Sequence, residues 1–197
     1  MSNTILVDMD GVLTNFIKGL TQSLNLDYDD VLGTWPKGKF LLEEVFGLSE
    51  DEVWRKIDSL GEAFWENLEY YSHAQELWDL CSNYGTVYIC TSPSKDPSCF
   101  SGKIKSLLKW RGSNFRNYIL TPHKHLLANK ETVLIDDSNS NISKFEKAGG
   151  KAIIFPAVQN SLYFLENHAL DHVKLSLDSL TRGSNNGLSK QVFSSGS

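Results

Sequence analysis

The sequence predicts an α/β fold: a parallel sheet covered by helices on both faces, with a small, mainly helical segment inserted after the first strand. Three observations predict it. Short, unbroken apolar runs recur with helical patterns between them, as expected for strands buried on both faces and joined by helical crossovers. Several of these runs stop abruptly at acids or hydroxyls, which suits the carboxyl edge of an open sheet, where ligands bind. Residues 18–71 are rich in aromatics and acids and contain no buried-strand pattern.

The first run, Ile5-Leu6-Val7, stops at Asp8-Met9-Asp10-Gly11. Aspartate is rarely buried without a partner. Two carboxylates held close repel each other unless a cation or a shared proton relieves them. A hard divalent cation with oxygen ligands, such as Mg²⁺, does so economically. For these four residues alone, a polar turn with Gly11 at positive φ is the plainer alternative.

Phe16 to Leu24 reads as a short helix, with apolar residues at Phe16, Ile17, Leu20 and Leu24. In the insertion, Ser49 and Glu52 form a capping-box signature ahead of Val53, Trp54, Ile57 and Leu60 at amphipathic-helix spacing. The segment is either a cap over a site or plain helical packing on the sheet. From Ala74 the alternation resumes. A helix runs to Cys81, and Thr86–Cys90 is a strand ending in Thr91-Ser92-Pro93. Ile104, Leu107, Leu108 and Trp110 mark a helix face, and Tyr118–Leu120 is a short strand with Lys124 just beyond it. Thr132–Ile135 is a strand ending in Asp136-Asp137, and Asn141–Ala148 is a helix closed by Gly149-Gly150. Ala152–Phe155 is the last strand and Ser161–His168 a further helix. The architecture expected is therefore three-layer and Rossmann-like. Its core comprises residues 1–17 and 72–178, its helical cap residues 18–71, and its tail, rich in Ser, Gly and Asn and expected to be disordered, residues 179–197.

Composition narrows the function classes. A hydrophobic fraction of 41% and a charged fraction of 22% are those of a soluble globular protein. With a net charge of −5 there is no basic field to gather a nucleic-acid polymer, so an anionic substrate must meet a local positive feature. No stretch approaches the roughly 20 apolar residues that span a bilayer, and the amino terminus has no signal-peptide pattern. Cys81, Cys90 and Cys99 lack metal-type spacing and fit reduced thiols, so a cytoplasmic location is expected. Asn141-Ile142-Ser143 is then a chance sequon. A homodimer is compatible with the sequence.

In a parallel sheet the strand ends share one edge, which would gather Asp8 and Asp10, Thr91 and Ser92, Lys124, and Asp136 and Asp137. Strand-Asp-x-Asp-Gly, strand-Thr, Lys and strand-Asp-Asp resemble the four motifs of the haloacid dehalogenase-like (HAD) phosphohydrolases. Asp8-Met9-Asp10-Gly11-Val12-Leu13 followed by Phe16, Ile89-Cys90-Thr91-Ser92-Pro93, Leu120-Thr121 and Leu134-Ile135-Asp136-Asp137 are similar to the 5'(3')-deoxyribonucleotidase branch.

The resemblance implies Mg²⁺-dependent hydrolysis of deoxyribonucleoside monophosphates, a small-molecule substrate. Asp8 would be the nucleophile and Asp10 the general acid and base. Lys124, with Lys130 as rival, would balance charge. The metal would be held by Asp8, Asp10 through its carbonyl, and the Asp136-Asp137 pair, with Asp136 the direct ligand and Asp137 behind it. Thr91 and Ser92 would bind the phosphoryl group. Phe16, Trp35, Phe64 and Trp65 would wall the base; ordinary core packing is the other reading of each aromatic. Two further functions stay open: a HAD phosphatase for another small phosphate ester, and a non-catalytic nucleotide-binding module on the same scaffold.

Overall fold

The computed structural model describes residues 3–182. Five strands make one sheet: β1 (Asn3–Val7), β2 (Gly85–Thr91), β3 (Tyr118–Leu120), β4 (Thr132–Asp136) and β5 (Lys151–Ile154). Their order is β3-β2-β1-β4-β5, and every pairing is parallel. All five strands expected from the apolar runs are present. The chain leaves central β1 in one direction to build β2 and β3, then returns to its other side for β4 and β5, and that reversal opens a crevice at the carboxyl edge. Val7 is level with both Ile89 and Ile135. The residues that follow, Asp8, Cys90 and Asp136, therefore lie side by side at the carboxyl edge.

On one face, Ile5, Val7 and Ile89 pack with Leu77 and Trp78 of α6 (Ala74–Ser82), Leu107 of α7 (Pro97–Arg111), and Val173 and Leu177 of α9 (Ala169–Arg182). On the other, Leu6, Cys90 and Leu134 meet Phe145 of α8 (Asn139–Lys147). The final helix departs from the sequence reading. Tyr163–His168 is a 3-10 turn leading into α9 rather than a separate α-helix. Ala169, Val173 and Leu177 repeat every four residues and are buried, so the helix is held to the core and persists to Arg182. Residues 179–182 thus belong to a helix and not to the tail; the rest of the expected tail, 183–197, lies outside the described residues.

Between β1 and α6 lie five helices: α1 (Phe16–Ser23), α2 (Tyr28–Thr34), α3 (Leu42–Phe46), α4 (Glu50–Leu60) and α5 (Glu62–Glu66). They bury a second hydrophobic cluster, centred on Leu20, Trp35, Val53, Ile57 and Trp65, which Cys99 of α7 joins. The Ser49/Glu52 capping box is formed, with the Ser49 N–H donating to Glu52 Oε2 at 2.9 Å and the Glu52 N–H to Ser49 Oγ at 3.4 Å. The cluster joins the sheet domain where α5 lies on α7. A Cβ on Gly102 would stand 2.6 Å from the Glu62 carbonyl oxygen and 2.7 Å from Trp65 Cβ, so only glycine permits the approach.

Gly102→Ala should therefore destabilise the fold by roughly 1–3 kcal/mol, lowering Tm by about 2–12 °C in a thermal melt. Gly33→Ala, in α2 with open space around its Cβ position, should leave Tm unchanged or slightly higher. Equal Tm changes for the two variants would refute the close-packing account.

Candidate active site

The turn after β1 is fixed by its backbone. The N–H groups of Leu13 and Thr14 both donate to the Met9 carbonyl at 2.8 Å, and that of Gly11 to the Thr14 carbonyl at 2.8 Å. Gly11 has φ of 78°, and a side chain there would overlap the Asp137 carboxylate, so two constraints require glycine. The turn holds Asp8 at the sheet edge, where its Oδ1 accepts from the Met9 N–H at 2.7 Å and from Lys124 Nζ at 2.7 Å.

Lys124 begins the 3-10 turn Lys124–Leu127 after β3 and is 3% exposed. Its Nζ also donates to Asp136 Oδ2 at 2.7 Å. Lys130, the other lysine considered, is exposed. Asp136 has both oxygens taken: Oδ1 by the Ser138 N–H at 2.9 Å and Asn141 Nδ2 at 3.1 Å, Oδ2 by Lys124 and Asn141 Nδ2 at 3.0 Å. Asp137 faces the crevice and accepts from Gln159 Nε2 at 2.5 Å through Oδ2 alone.

One oxygen each from Asp8, Asp136 and Asp137 lies within 4.8 Å of the others. Burial pushes the Asp8 carboxyl up to about 7; Lys124 pulls against this, and the charges of Asp136 and Asp10 add to it. Burial also raises Asp137 well above the usual carboxylate range, reinforced by Asp136 and Asp8. Burial opposes the Lys124 ammonium, yet the carboxylates of Asp8 and Asp136 more than offset it and hold its pKa above the ordinary lysine value. An all-oxygen cluster short of positive charge fits a hard divalent cation.

A crevice of about 1340 Å³ opens beside the cluster, ample for a nucleoside monophosphate. Asp10, Gly11, Ser92 and Asp137 line it together with Phe16, Trp54 and Trp65, and with Arg55 and Asp58 of α4. Phe16 stacks on Trp65 at 6.0 Å between centroids and lies 6.1 Å from Trp54.

Residues 2–170 match the family described as 5' nucleotidase, deoxy (pyrimidine), cytosolic type C protein (NT5C). The chain belongs to this family. It is thus a phosphoric monoester hydrolase of the 5'-nucleotidase type with a HAD fold. A Staphylococcus epidermidis protein named "Putative 5'(3')-deoxyribonucleotidase" is 27% identical over 168 residues, covering 79% of this chain and 84% of that protein. Two solved structures share the fold. One is a "predicted phosphatase" from Clostridium acetobutylicum, with a TM-score of 0.57 and 17% identity over 91% of this chain and 99% of that one. The other is a haloacid dehalogenase-like family hydrolase from Streptococcus pneumoniae, with a TM-score of 0.51 and 18% identity over 83% and 90%.

Not every residue singled out from the sequence reaches the crevice of the nucleotidase. Trp35 is 3% exposed, donates from Nε1 to the Lys39 carbonyl at 2.9 Å, and packs on Phe46 within the helical cluster. Phe64 stands edge-on behind Trp65 at 5.0 Å and is not a lining residue. Thr91 is fully buried, while Ser92 lines the crevice. Sequence reasoning missed Gln159, the donor to Asp137, and took Trp54 as part of a buried helix face although it lines the wall. It also missed Lys103, which is fully buried in α7 and paired with Asp10. The charge so close to the Ile104 and Leu107 face was the available signal.

Asp8 supplies a pH signature. Its folded pKa of about 7 lies above the unfolded value near 3.9, so the stability it contributes is present below about pH 4 and lost as pH rises through about 7. A divalent cation held by these acids would take the place of the proton. The Tm gain on adding saturating Mg²⁺ to metal-stripped protein should accordingly be small at pH 5 and large at pH 8. A gain that is the same at both would contradict a metal held by these acids.

Proposed function

We propose that this nucleotidase is a Mg²⁺-dependent 5'(3')-deoxyribonucleotidase that hydrolyses deoxyribonucleoside monophosphates through an aspartyl-phosphate on Asp8. The observation that carries the reading is the meeting of Asp8, Lys124, Asp136 and Asp137 at one sheet edge, with Lys124 Nζ 2.7 Å from both Asp8 and Asp136. Asp8 Oδ2, free of protein donors among the described residues, bonds to phosphorus. The bond from phosphorus to the ester oxygen breaks, and that oxygen takes a proton from Asp10 and leaves as the deoxynucleoside. Water then attacks phosphorus and gives a proton to Asp10, and the Asp8 carboxylate is released with inorganic phosphate. Lys124 offsets negative charge on Asp8 and the phosphoryl oxygens throughout.

The cation would be held by Asp8, the Asp10 carbonyl and Asp137. When bound it withdraws charge from the phosphoryl group. The hydrogen bonds favour Asp137 over Asp136 as direct ligand, reversing the order expected from sequence, because protein donors already occupy both Asp136 oxygens. The helical insertion serves as a cap, with Phe16, Trp65 and Trp54 offering faces to a nucleobase. The family description and three buried free thiols support a cytosolic enzyme. Among the described residues no helix is long and apolar enough to cross a membrane.

Phosphate release measured across deoxynucleotides, sugar phosphates and acyl phosphates should be fastest with deoxynucleoside monophosphates. Asp8→Asn should lower turnover by roughly three orders of magnitude or more while substrate binding persists. Comparable turnover of sugar phosphates would replace the nucleotide with another small ester. Wild type as inert as Asp8→Asn with Mg²⁺ present would leave only a binding module.

A further inference from the structure

Lys103 sits in α7 with no solvent exposure. Its Nζ pairs with Asp10 Oδ2 and donates to Thr91 Oγ1 at 2.7 Å and to the Ser92 carbonyl at 3.1 Å. The Trp65 ring covers it, with the centroid 5.0 Å from Nζ. An ammonium has three hydrogens and no lone pair, so three acceptors and a ring face satisfy it fully. A lysine is costly to bury even when paired, and an apolar side chain of similar size would fill the same space. Its partners are Asp10, its neighbours at the end of β2, and the wall residue Trp65. They are not the acids around Lys124.

The contacts of Asp10 are correspondingly one-sided. Oδ2 is held by Lys103, and Oδ1 lies 3.1 Å from Thr14 Oγ1. That hydroxyl is also 3.2 Å from the Met9 carbonyl. Lysine can only donate, so Oδ2 facing it cannot carry a hydrogen; when Asp10 is an acid, the hydrogen is on Oδ1. Thr14 serves both forms by turning its hydroxyl: it donates to Oδ1 of the carboxylate, or donates to Met9 and accepts from Oδ1 of the acid. The carboxyl group itself need not turn.

We propose that Lys103 is the positioning residue for Asp10. It clamps Oδ2 from inside the protein so that Oδ1 both gives the proton to the leaving oxygen and takes it back from water. This rests on the aspartyl-phosphate reading above. Gly102 completes the device: by letting α5 lie on α7 it presses Trp65 over the ammonium, so the cap wall and the anchor of Asp10 form one packed unit.

The test uses a leaving group that needs no proton. With p-nitrophenyl phosphate and Mg²⁺, Lys103→Met should release one p-nitrophenolate per site in a burst within about threefold of the wild-type rate, then slow roughly 100-fold, because water must still lose its proton to a loosened Asp10. Acid quenching should trap phosphate on Asp8. With a deoxynucleoside monophosphate the first turnover itself should fall roughly 100-fold. Parallel losses of the first turnover on both substrates, or a loss confined to KM, would overturn the proposal and leave Lys103 a packing or phosphate-binding residue. Should the unpaired Asp10 charge prevent Lys103→Met from folding, Asp10→Asn is compared with Asp10→Asn plus Lys103→Met, in which both charges are gone. The two should turn over nucleotide within about threefold of each other, and a further multiplicative loss overturns the proposal. A wild type that forms no phosphoenzyme from either substrate defeats the underlying mechanism, and that result is read without any variant.

Discussion

The structure depends on burying negative charge at the carboxyl edge of a parallel sheet. Asp8, Asp10, Asp136 and Asp137 are brought there by β1 and β4, and Lys103 and Lys124 are set among them. If all are ionised, four carboxylates face two ammonium groups. Each lysine is placed where it neutralises without competing for the crevice: Lys124 lies between Asp8 and Asp136, and Lys103 lies beneath Asp10. Burial raises Asp8 and Asp137 above the ordinary carboxylate range, and the remaining excess of negative charge reinforces the shift. A divalent cation is the matching counter-charge. On the proposed reading the same shortage accounts for a chain with a net charge of −5 receiving a phosphate dianion: attraction is local, and the dianion would meet a bound cation and Lys124 rather than a basic surface.

The helical insertion turns that charged edge into a crevice. Its helices share a second hydrophobic cluster, joined by Cys99 of α7, and have caps at Asn15, Asp27 and Ser49. They meet the sheet domain in two ways. Phe16 follows directly from the turn that carries Asp8 and Asp10, so the aromatic wall starts six residues from the second acid. The second is the close approach of α5 to α7 at Gly102, which seats Trp65 against both Phe16 and Lys103. The aromatic wall and the lysine that pairs with Asp10 are thereby held by one contact. A change in how α5 sits on α7 acts on both.

Legibility in the sequence followed energetic cost. The strands were readable because a strand buried on both faces tolerates no polar alternation, and Ile5-Leu6-Val7 or Val133-Leu134-Ile135 cannot be mistaken for a surface element. The acids at their ends were readable because an aspartate at a buried position demands a partner. Lys124 could be read only as one of two candidates; its proximity to Asp8 comes from the short β3 and the 3-10 turn, which carry little pattern. The aromatics divided as expected for residues that serve packing and stacking equally well. Phe16 and Trp65 face the crevice, whereas Trp35 turns its indole N–H to the Lys39 carbonyl inside the insertion. The final helix was underestimated because its apolar repeat, Ala169, Val173 and Leu177, is sparse and runs up to the polar tail.

Lys103 was passed over for a more general reason. Along α7, lysines at 103, 105 and 109 look alike, and the simplest reading of each is a solvated charge. Lys105 and Lys109 do reach toward Glu62 and Glu66 at the surface. What singles out Lys103 is that the buried face of this helix is not hydrophobic: Cys99, Gly102, Lys103 and Ser106 share it with Leu107. A face of small and polar residues forms no amphipathic stripe, so periodicity misplaces it. Such a face is suited to contacting charged groups and a neighbouring backbone at close range. Here it touches Asp10 through Lys103, Tyr70 through Ser106, and the α5 backbone at Gly102. The absence of a hydrophobic pattern on a helix packed against protein was itself the mark of the element that holds Asp10.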